Sequence, residues 1–427
     1  MNFWKWFYPG LGLKRWLFLL AFSIFLLALG MLLSIEVLGL QELKQLFKEV
    51  ALLQGGTITL LLLGIGLFLL LLSIRRVFST FFEALFPGYP KNKIKTFQEH
   101  RLLKLGPKIA AIGGGTGLSM LLRGLKPFSS NLTAIVTVAD DGGSSGKLRE
   151  ELGILPPGDI RNCLIALADK EDLMERTLRH RFCSPGQLYG HSLGNLFLAG
   201  MTEINDGNFN LAVKEMSRLL AIRGRVLPVT LENVTLVAEL WDGTRVEGES
   251  RISESLSPIK EIGLRPESAE ALPETLEAIR DAELIVIGPG SLYTSILPVL
   301  LAGGIREALR ESKACKVYVC NVMTQPGETI GYSAADHLEV LLRNGLAGTI
   351  DYIVLNNRMI ESPVLREKYA AEGASEVEPD YKRIEELGVE AKALPLLEEK
   401  NSVRHDSALL ARELLLLCRR RKGRWRR

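Results

Sequence analysis

Disulfide chemistry has little to work with in this 427-residue chain. Its five cysteines, Cys163, Cys183, Cys315, Cys320 and Cys418, include no CxxC pair. An odd count inside apolar runs suits a reducing cytosol rather than a stapled secreted scaffold. His180 and Cys183 lie three apart with no second ligand pair, which argues against zinc. No G-x-G-x-x-G follows a strand, so a nicotinamide dehydrogenase is disfavoured. GGSSGK (142–147) is followed by Leu148 and lacks the P-loop frame. The first apolar run has no small-x-small cleavage site after it, which disfavours a signal peptide. The formal charge of +3 also misleads, because the last nine residues carry seven basic side chains and the rest is mildly acidic. That tail has no aromatic stacking platform, so nucleic acid is not an expected partner.

What is present begins with two apolar runs. Trp16 to Leu33 is nearly free of charge and Gly56 to Ile74 repeats the pattern. Each has the length of a bilayer-crossing helix. Lys5, Lys14 and Arg15 precede the first, and Arg75, Arg76, Lys91, Lys93 and Lys95 follow the second. Between them lie Glu36, Glu42, Lys44, Lys48 and Glu49. The positive-inside rule predicts a two-pass hairpin over residues 1–80 in the cell membrane, with both termini and the main domain cytoplasmic. Trp4, Trp6, Tyr8 and Trp16 suit the interface belt. Residues 81–105, with the FPGYP stretch, read as a juxtamembrane linker.

The globular domain, residues 106–400, opens on a βαβ pattern. Lys108 to Ile112 is an apolar run ending in Gly113-Gly114-Gly115-Thr116-Gly117, and Leu118 to Leu125 has helical spacing. A second run, Leu132 to Val138, ends at Asp140-Asp141. Glycines at a strand–helix turn let backbone N–H groups meet an anion at the positive end of the helix. Asp140 or Asp141 then falls where a ribose or a metal would lie.

Further along, Pro156-Pro157-Gly158-Asp159 starts a helix, with Asp159 either its N-cap or a ligand group. Arg161 opposes the macrodipole in the first turn, which a bound anion would explain. His191 and Asn195 are i,i+4 at the head of an apolar helix and share one face. Residues 224–280 change composition; Val234–Leu240, a Trp-Asp-Gly-Thr turn and Arg245–Glu249 read as a β-hairpin inserted at the sheet edge. Glu283–Ile287 followed by Gly288-Pro289-Gly290-Ser291 is a second candidate anion turn. Strand Lys316–Asn321 ends in a polar residue, and Tyr352–Leu355 ends in Asn356-Asn357. Residues 401–427 hold a last helix and the basic tail, which is either solvated or in contact with the inner membrane leaflet.

IGGGTGLSMLLRGLK, TVADDGGSSGKLREELGILPPGDIRNCLIALAD, GHSLGNLFLAG, IGPGSLYTSILPVLL and YVCNVMTQPGET stand here in one order. In that order they resemble the bacterial gluconeogenesis factors, which are similar in fold to 2-phospho-lactate transferases. The resemblance implies a Rossmann-like three-layer α/β/α domain with a mostly parallel sheet, binding a nucleotide sugar such as UDP-N-acetylglucosamine. It also implies a regulatory role in cell shape and envelope synthesis during gluconeogenic growth. The alternative is a metal-dependent transferase of a phospho-linked group; DDGGSSG departs from the transferases' aspartate-rich segment.

The expected nucleotide contacts are Gly113 to Gly117, Gly142, Gly143, Ser144, Ser145, Arg161, Asn162, His191, Asn195, Gly288, Gly290, Ser291 and Asn321. Asp140, Asp141 and Asp159 are the candidate Mg²⁺ ligands, and no tightly bound organic cofactor is expected. Envelope-synthesis proteins and a second copy of the chain are the expected protein partners.

Overall fold

The computed structural model describes residues 13–37, 55–85, 102–169 and 171–425. Two compact units divide the chain near residue 97. In the first, helices α1 (Leu13–Val37) and α2 (Gly55–Leu85) run antiparallel. A Cβ on Gly30 would lie 2.9 Å from Leu63 and one on Gly66 2.9 Å from Leu27, so small residues set the helix spacing. Arg76 stacks on Trp16 at 5.1 Å. Leu61–Phe78 is long and apolar enough to cross a membrane by length and composition, with mean hydropathy 2.1. The apolar stretch of α1, Phe18–Met31, is shorter. Among the described residues, therefore, one helix rather than the expected two reaches spanning length. Trp4, Trp6, Tyr8 and the segment between the helices lie outside the described residues, and α2 itself reaches into the expected linker.

The second unit is built on a seven-stranded sheet of β1 (Ile109–Gly113), β2 (Leu132–Val136), β3 (Arg225–Pro228), β7 (Leu284–Ile287), β8 (Cys315–Val319), β9 (Tyr352–Asn356) and β10 (Glu390–Leu394). Its order is β10-β9-β8-β7-β1-β2-β3, and every pairing is parallel. Strands β1, β2, β7 and β8 are buried at every position. Continuous burial without alternation means that helices cover both faces, which is the three-layer α/β/α architecture. Helices α3 (Gly115–Leu125), α4 (Gly143–Leu152), α5 (Gly158–Leu167), α6 (Glu171–Leu178) and α7 (Leu193–Ile204) follow one another between the strands on the β2 side.

The chain steps from β1 outward to β2 and β3, then returns to the other side of β1 with β7. The crevice between β1 and β7 is thus a topological switch point, where ligands bind in open α/β sheets. The expected insertion is narrower than 224–280. Arg225–Pro228 pairs with β2 as the sheet's edge strand, since its short apolar core fits the register Ala134 to Val226. The inserted part is a three-stranded antiparallel sheet of β4 (Thr235–Leu240), β5 (Arg245–Glu247) and β6 (Ile259–Arg265). Strands β11 (Leu397–Glu399) and β12 (Val403–His405) form a small hairpin before the final helix, Ser407–Trp425. That helix runs on into the basic segment read as a tail. The reason is Arg421, whose guanidinium donates to the Ala314 carbonyl and pairs with Asp351 at the start of the sheet.

Candidate functional site

Strands β1 and β7 end level, Ile112 opposite Ile287, so their glycine loops emerge side by side. The loops touch backbone to backbone. A Cβ at Gly117 would stand 2.4 Å from the Pro289 carbonyl oxygen, so any side chain there would push the loops apart. Gly115 differs: its φ is +61° and open space lies where its Cβ would go. Its glycine serves the turn rather than the packing.

The two loops differ in who occupies their amides. Helix α3 starts at Gly115 with no side-chain cap. The Gly115 N–H donates to the Asp159 carboxylate, and the next amides belong to the four that a helix start leaves without intrahelical partners. After Ser291 the chain makes one turn of π-helix, Leu292–Ile296. There the buried Glu328 carboxylate accepts the Tyr293 N–H at 3.1 Å and the Thr294 hydroxyl at 2.9 Å. Glu328 therefore fills the second helix start, whereas at the first Asp159 takes only the Gly115 N–H and leaves the Thr116 and Gly117 amides for a ligand.

A cleft of about 340 Å³ opens over these loops. Met120, Val322, Met323 and Tyr369 give it an apolar stretch of wall, and Thr324, Glu372 and Arg404 are among the polar groups that complete it. Asn321 faces this cleft, yet its amide is spent on the loop. Its Oδ1 accepts the Gly290 N–H at 3.1 Å and its Nδ2 donates to the Gly290 carbonyl at 2.9 Å. Likewise the Ser291 hydroxyl accepts from Gln325 at 2.8 Å. Both residues hold the cleft's wall in shape. His405 also lines it, donating from Nε2 to the Cys320 carbonyl, and burial depresses its pKa to about 4.

Across the Gly114–Gly115 backbone the chemistry changes. A Cβ at Gly114 would lie 2.5 Å from Asp159 Oδ2, so this glycine lets the carboxylate reach the loop. Burial pushes Asp159 up to about 6 against the Gly115 N–H, and Asp140 adds repulsion. Asp140 accepts the Gly142 N–H at 2.9 Å. Glu249, from the short helix Glu249–Ser253 after β5, hydrogen-bonds to Asp140. Its pKa is raised first by burial and then by Asp140, Asp159 and Asp141.

Arg161 stands on the far side of this cluster, 7% exposed. It donates to Asn195 Oδ1 at 2.7 Å, to Asn162 Oδ1 at 3.1 Å and to the Ser192 hydroxyl, and its Nε has no partner. Asn195 passes the network on to Ser144 at 3.0 Å, and Ser144 meets His191 Nδ1 at 3.1 Å. Burial, then Arg181 and Arg179, lowers Arg161 to about 10. Its direct partners are neutral, and Asp159 and Asp140 supply the nearby negative charge that partly offsets the two arginines.

Asp141 turns away from Asp140, accepting the Ser250 N–H at 2.9 Å and its hydroxyl at 2.8 Å. Among the described residues no group of three or more His, Cys, Asp or Glu side chains is placed to hold a metal ion. Asp140 and Asp159 lie together, and Asp141 is held by Ser250 instead.

This site sits in a chain with clear relatives. The profile of the 2-phospho-L-lactate transferase CofD family matches residues 109–397. The gluconeogenesis factor of Bacillus subtilis is 52% identical over 314 residues, 73% of this chain and 98% of its own. The chain belongs to the gluconeogenesis factors of the CofD family. A relative from Nostoc is 45% identical over 425 residues, 97% of this chain and 92% of its own, so that match extends into the N-terminal unit. A crystal structure of a UPF0052 family member from Bacillus halodurans aligns with a TM-score of 0.70 at 50% identity, covering 73% of this chain and 99% of that one.

In this gluconeogenesis-factor fold, Gly113 to Gly117, Asp140, Asp159, Arg161, Asn162, Ser144, His191 and Asn195 come together around one end of the sheet. Gly142 precedes α4 as its N-cap and Gly143 turns with φ +49°. Ser145 packs under Gly158, where a Cβ would lie 2.5 Å from its hydroxyl. The residues that escaped the sequence reading as site groups include Glu249, Gln325, Glu328, Tyr369 and Arg404. Gln325 and Glu328 stand in the NVMTQPGET motif, so the motif carried the signal without the roles. Glu249 follows Gly248, whose φ of +97° marks a built turn that spacing alone does not reveal.

Proposed function

We propose that this chain binds a nucleotide sugar of the UDP-N-acetylglucosamine type and serves as a regulator of envelope synthesis and cell shape during gluconeogenic growth. The observation that carries the reading is the helix start at the sheet's switch point, where Asp159 takes the Gly115 N–H and the Thr116 and Gly117 amides are left for an anion. A pyrophosphate fits such a start, where backbone amides and the helix dipole both favour an anion. The nucleoside would lie in the cleft against Tyr369 and Met120, with Arg404 at its border. The sugar would face Asp140, Asp159 and Glu249. Membrane attachment is supported by the apolar span of α2, against which α1 packs; the two-pass topology and the cytoplasmic side of the domain rest on the basic flanks of the two apolar runs.

One observation favours a second reading, a transferase of a phospho-linked group. Asp159, held near 6, could exchange a proton at physiological pH, as general acid–base chemistry requires. Calorimetric titration of the full chain in detergent with UDP-N-acetylglucosamine, with and without Mg²⁺, separates the two when the ligand is recovered by chromatography. Saturable binding with intact ligand supports the regulator. Release of mononucleotide that depends on metal and acceptor replaces it with the transferase, and absence of binding removes both.

A further inference from the structure

We infer that the end of the second unit at which its strands begin is a docking surface for an anionic lipid bilayer, which turns the cleft at the opposite end of the sheet away from the membrane. The inference rests on the membrane attachment read above and adds the face that meets the lipid.

Two stretches from opposite ends of the unit's sequence meet there. Residues 102–106 lead into β1 and are fixed beside the start of β2. The Leu103 carbonyl accepts the Ser130 N–H at 2.9 Å, and Asn131 donates to the Lys104 carbonyl at 2.9 Å and the Gly106 carbonyl at 2.7 Å. A Cβ on Gly106 would lie 2.7 Å from the Phe128 carbonyl oxygen, so this stretch touches the turn after α3. Large apolar side chains stand uncovered on it: Leu102 is 66% exposed, Leu105 77% and Phe128 37%. The final helix, Ser407–Trp425, ends at the same edge. Its Cys418 thiol meets the Glu283 carbonyl at 3.5 Å just before β7, and Arg421 pairs with Asp351 just before β9. Arg419 and Arg420 are left exposed between those anchors, and Lys422, Arg424, Arg426 and Arg427 follow in the sequence.

The acids at this end are matched within the chain. Asp281 pairs with Lys108 at 2.9 Å, Glu283 accepts the Lys108 N–H at 3.0 Å, Glu311 lies 3.7 Å from Arg280, and Asp351 is held by Arg421. The surplus on the face is therefore basic, carried by the exposed Lys104, Lys313, Arg419 and Arg420. Uncovered apolar side chains beside surplus bases form the pattern of an interfacial anchor, in which the first enter the headgroup boundary and the second meet anionic lipid. The covalent chain points to the same occupant. Leu102 follows the apolar span of α2 through residues 86–101, which add Lys91, Lys93, Lys95 and Arg101.

The test is vesicle flotation of the full chain and of the fragment Gln98–Arg427. That fragment is the compact second unit, and the Bacillus halodurans relative, 50% identical and covering 73% of this chain, has the same fold by itself. The full chain should float with vesicles of phosphatidylcholine alone and with equal mixtures of phosphatidylcholine and phosphatidylglycerol. The fragment should float with the mixture only and be released as salt is raised. Arg419→Gln with Arg420→Gln should weaken its binding about 25-fold, about five-fold for each basic residue. Leu102→Ser with Leu105→Ser should weaken it about ten-fold and leave the salt dependence as it was. All four side chains are exposed, so both variants should melt like wild type. A fragment that floats with both vesicles alike or with neither, or whose binding to the mixture ignores all four substitutions, overturns the docking surface. A full chain that floats with neither vesicle overturns the membrane-attachment reading itself.

Discussion

The loops Gly113–Gly117 and Gly288–Ser291 look alike in sequence, each a glycine turn between a buried strand and an apolar helix. Folding gives them different work. The second is closed by Glu328 on its amides and by Asn321 and Gln325 on its backbone and serine. The first has Asp159 on the Gly115 N–H alone, and its next amides stay unfilled. A glycine-rich strand–helix turn is thus an anion site only where the rest of the chain leaves the amides unfilled. The closed loop buttresses the open one, since Gly117 and Pro289 are in backbone contact.

Breaking that contact should have the largest effect. Gly117→Ala forces a Cβ against the Pro289 carbonyl and should cost about 3 kcal/mol of stability, at the upper end of ordinary overpacking. A thermal melt would register it, and nucleotide binding should be lost at the same time. A variant that melts like wild type would show that the loops are free to separate. Glu328→Ala tests the closed loop. It strands the Tyr293 N–H and the Thr294 hydroxyl without their acceptor and should cost about 2 kcal/mol. Ligand affinity should hold, because the site it caps is not the ligand's; a large loss of affinity would reverse the assignment of the two loops.

The difference between the loops was only partly legible in the sequence. The apolar runs and glycine turns locate β1, β2, β7, β8 and β9, because buried parallel strands need continuous apolar residues and short turns. They also place Gly113 to Gly117, Asp159 and Arg161 at one end of the sheet. What spacing cannot show is which polar atoms satisfy each other there. Asn321 looked like a ligand group at a strand end and is instead clamped on Gly290. Asp141 looked equivalent to Asp140 and is instead bound to Ser250, more than a hundred positions away. Glu249 and Glu328 reach the site through contacts of long sequence separation, an insertion in one case and a π-turn in the other, and neither leaves a local pattern. Strand β3 falls within the expected insertion because it is only four residues long, too short to leave a pattern of its own.

The smallest predicted effect bears on the open loop alone. Asp159, beneath Gly115, is held at about 6 rather than near 3.8, so the folded chain binds a proton there that the unfolded chain has released. A raised carboxyl pKa means stability present at low pH and lost as pH rises toward and through 6. Between pH 5 and 7 that loss should reach about 1 kcal/mol, at roughly 1.4 kcal/mol per pKa unit. Glu249 acts in the same direction, its carboxyl raised chiefly by burial. His405, depressed to about 4, and His337, also depressed by burial, act in the opposite direction, because their unfolded forms take up protons that the folded forms refuse. The wild-type melting curve therefore mixes both signs, and the difference from Asp159→Asn isolates one. Asparagine cannot titrate, so the variant should gain about 1 kcal/mol on wild type as pH is raised from 5 to 7. The histidine terms cancel in that subtraction. A difference that stays flat with pH would mean that Asp159 is ionised throughout, with a countercharge compensating it under the open loop.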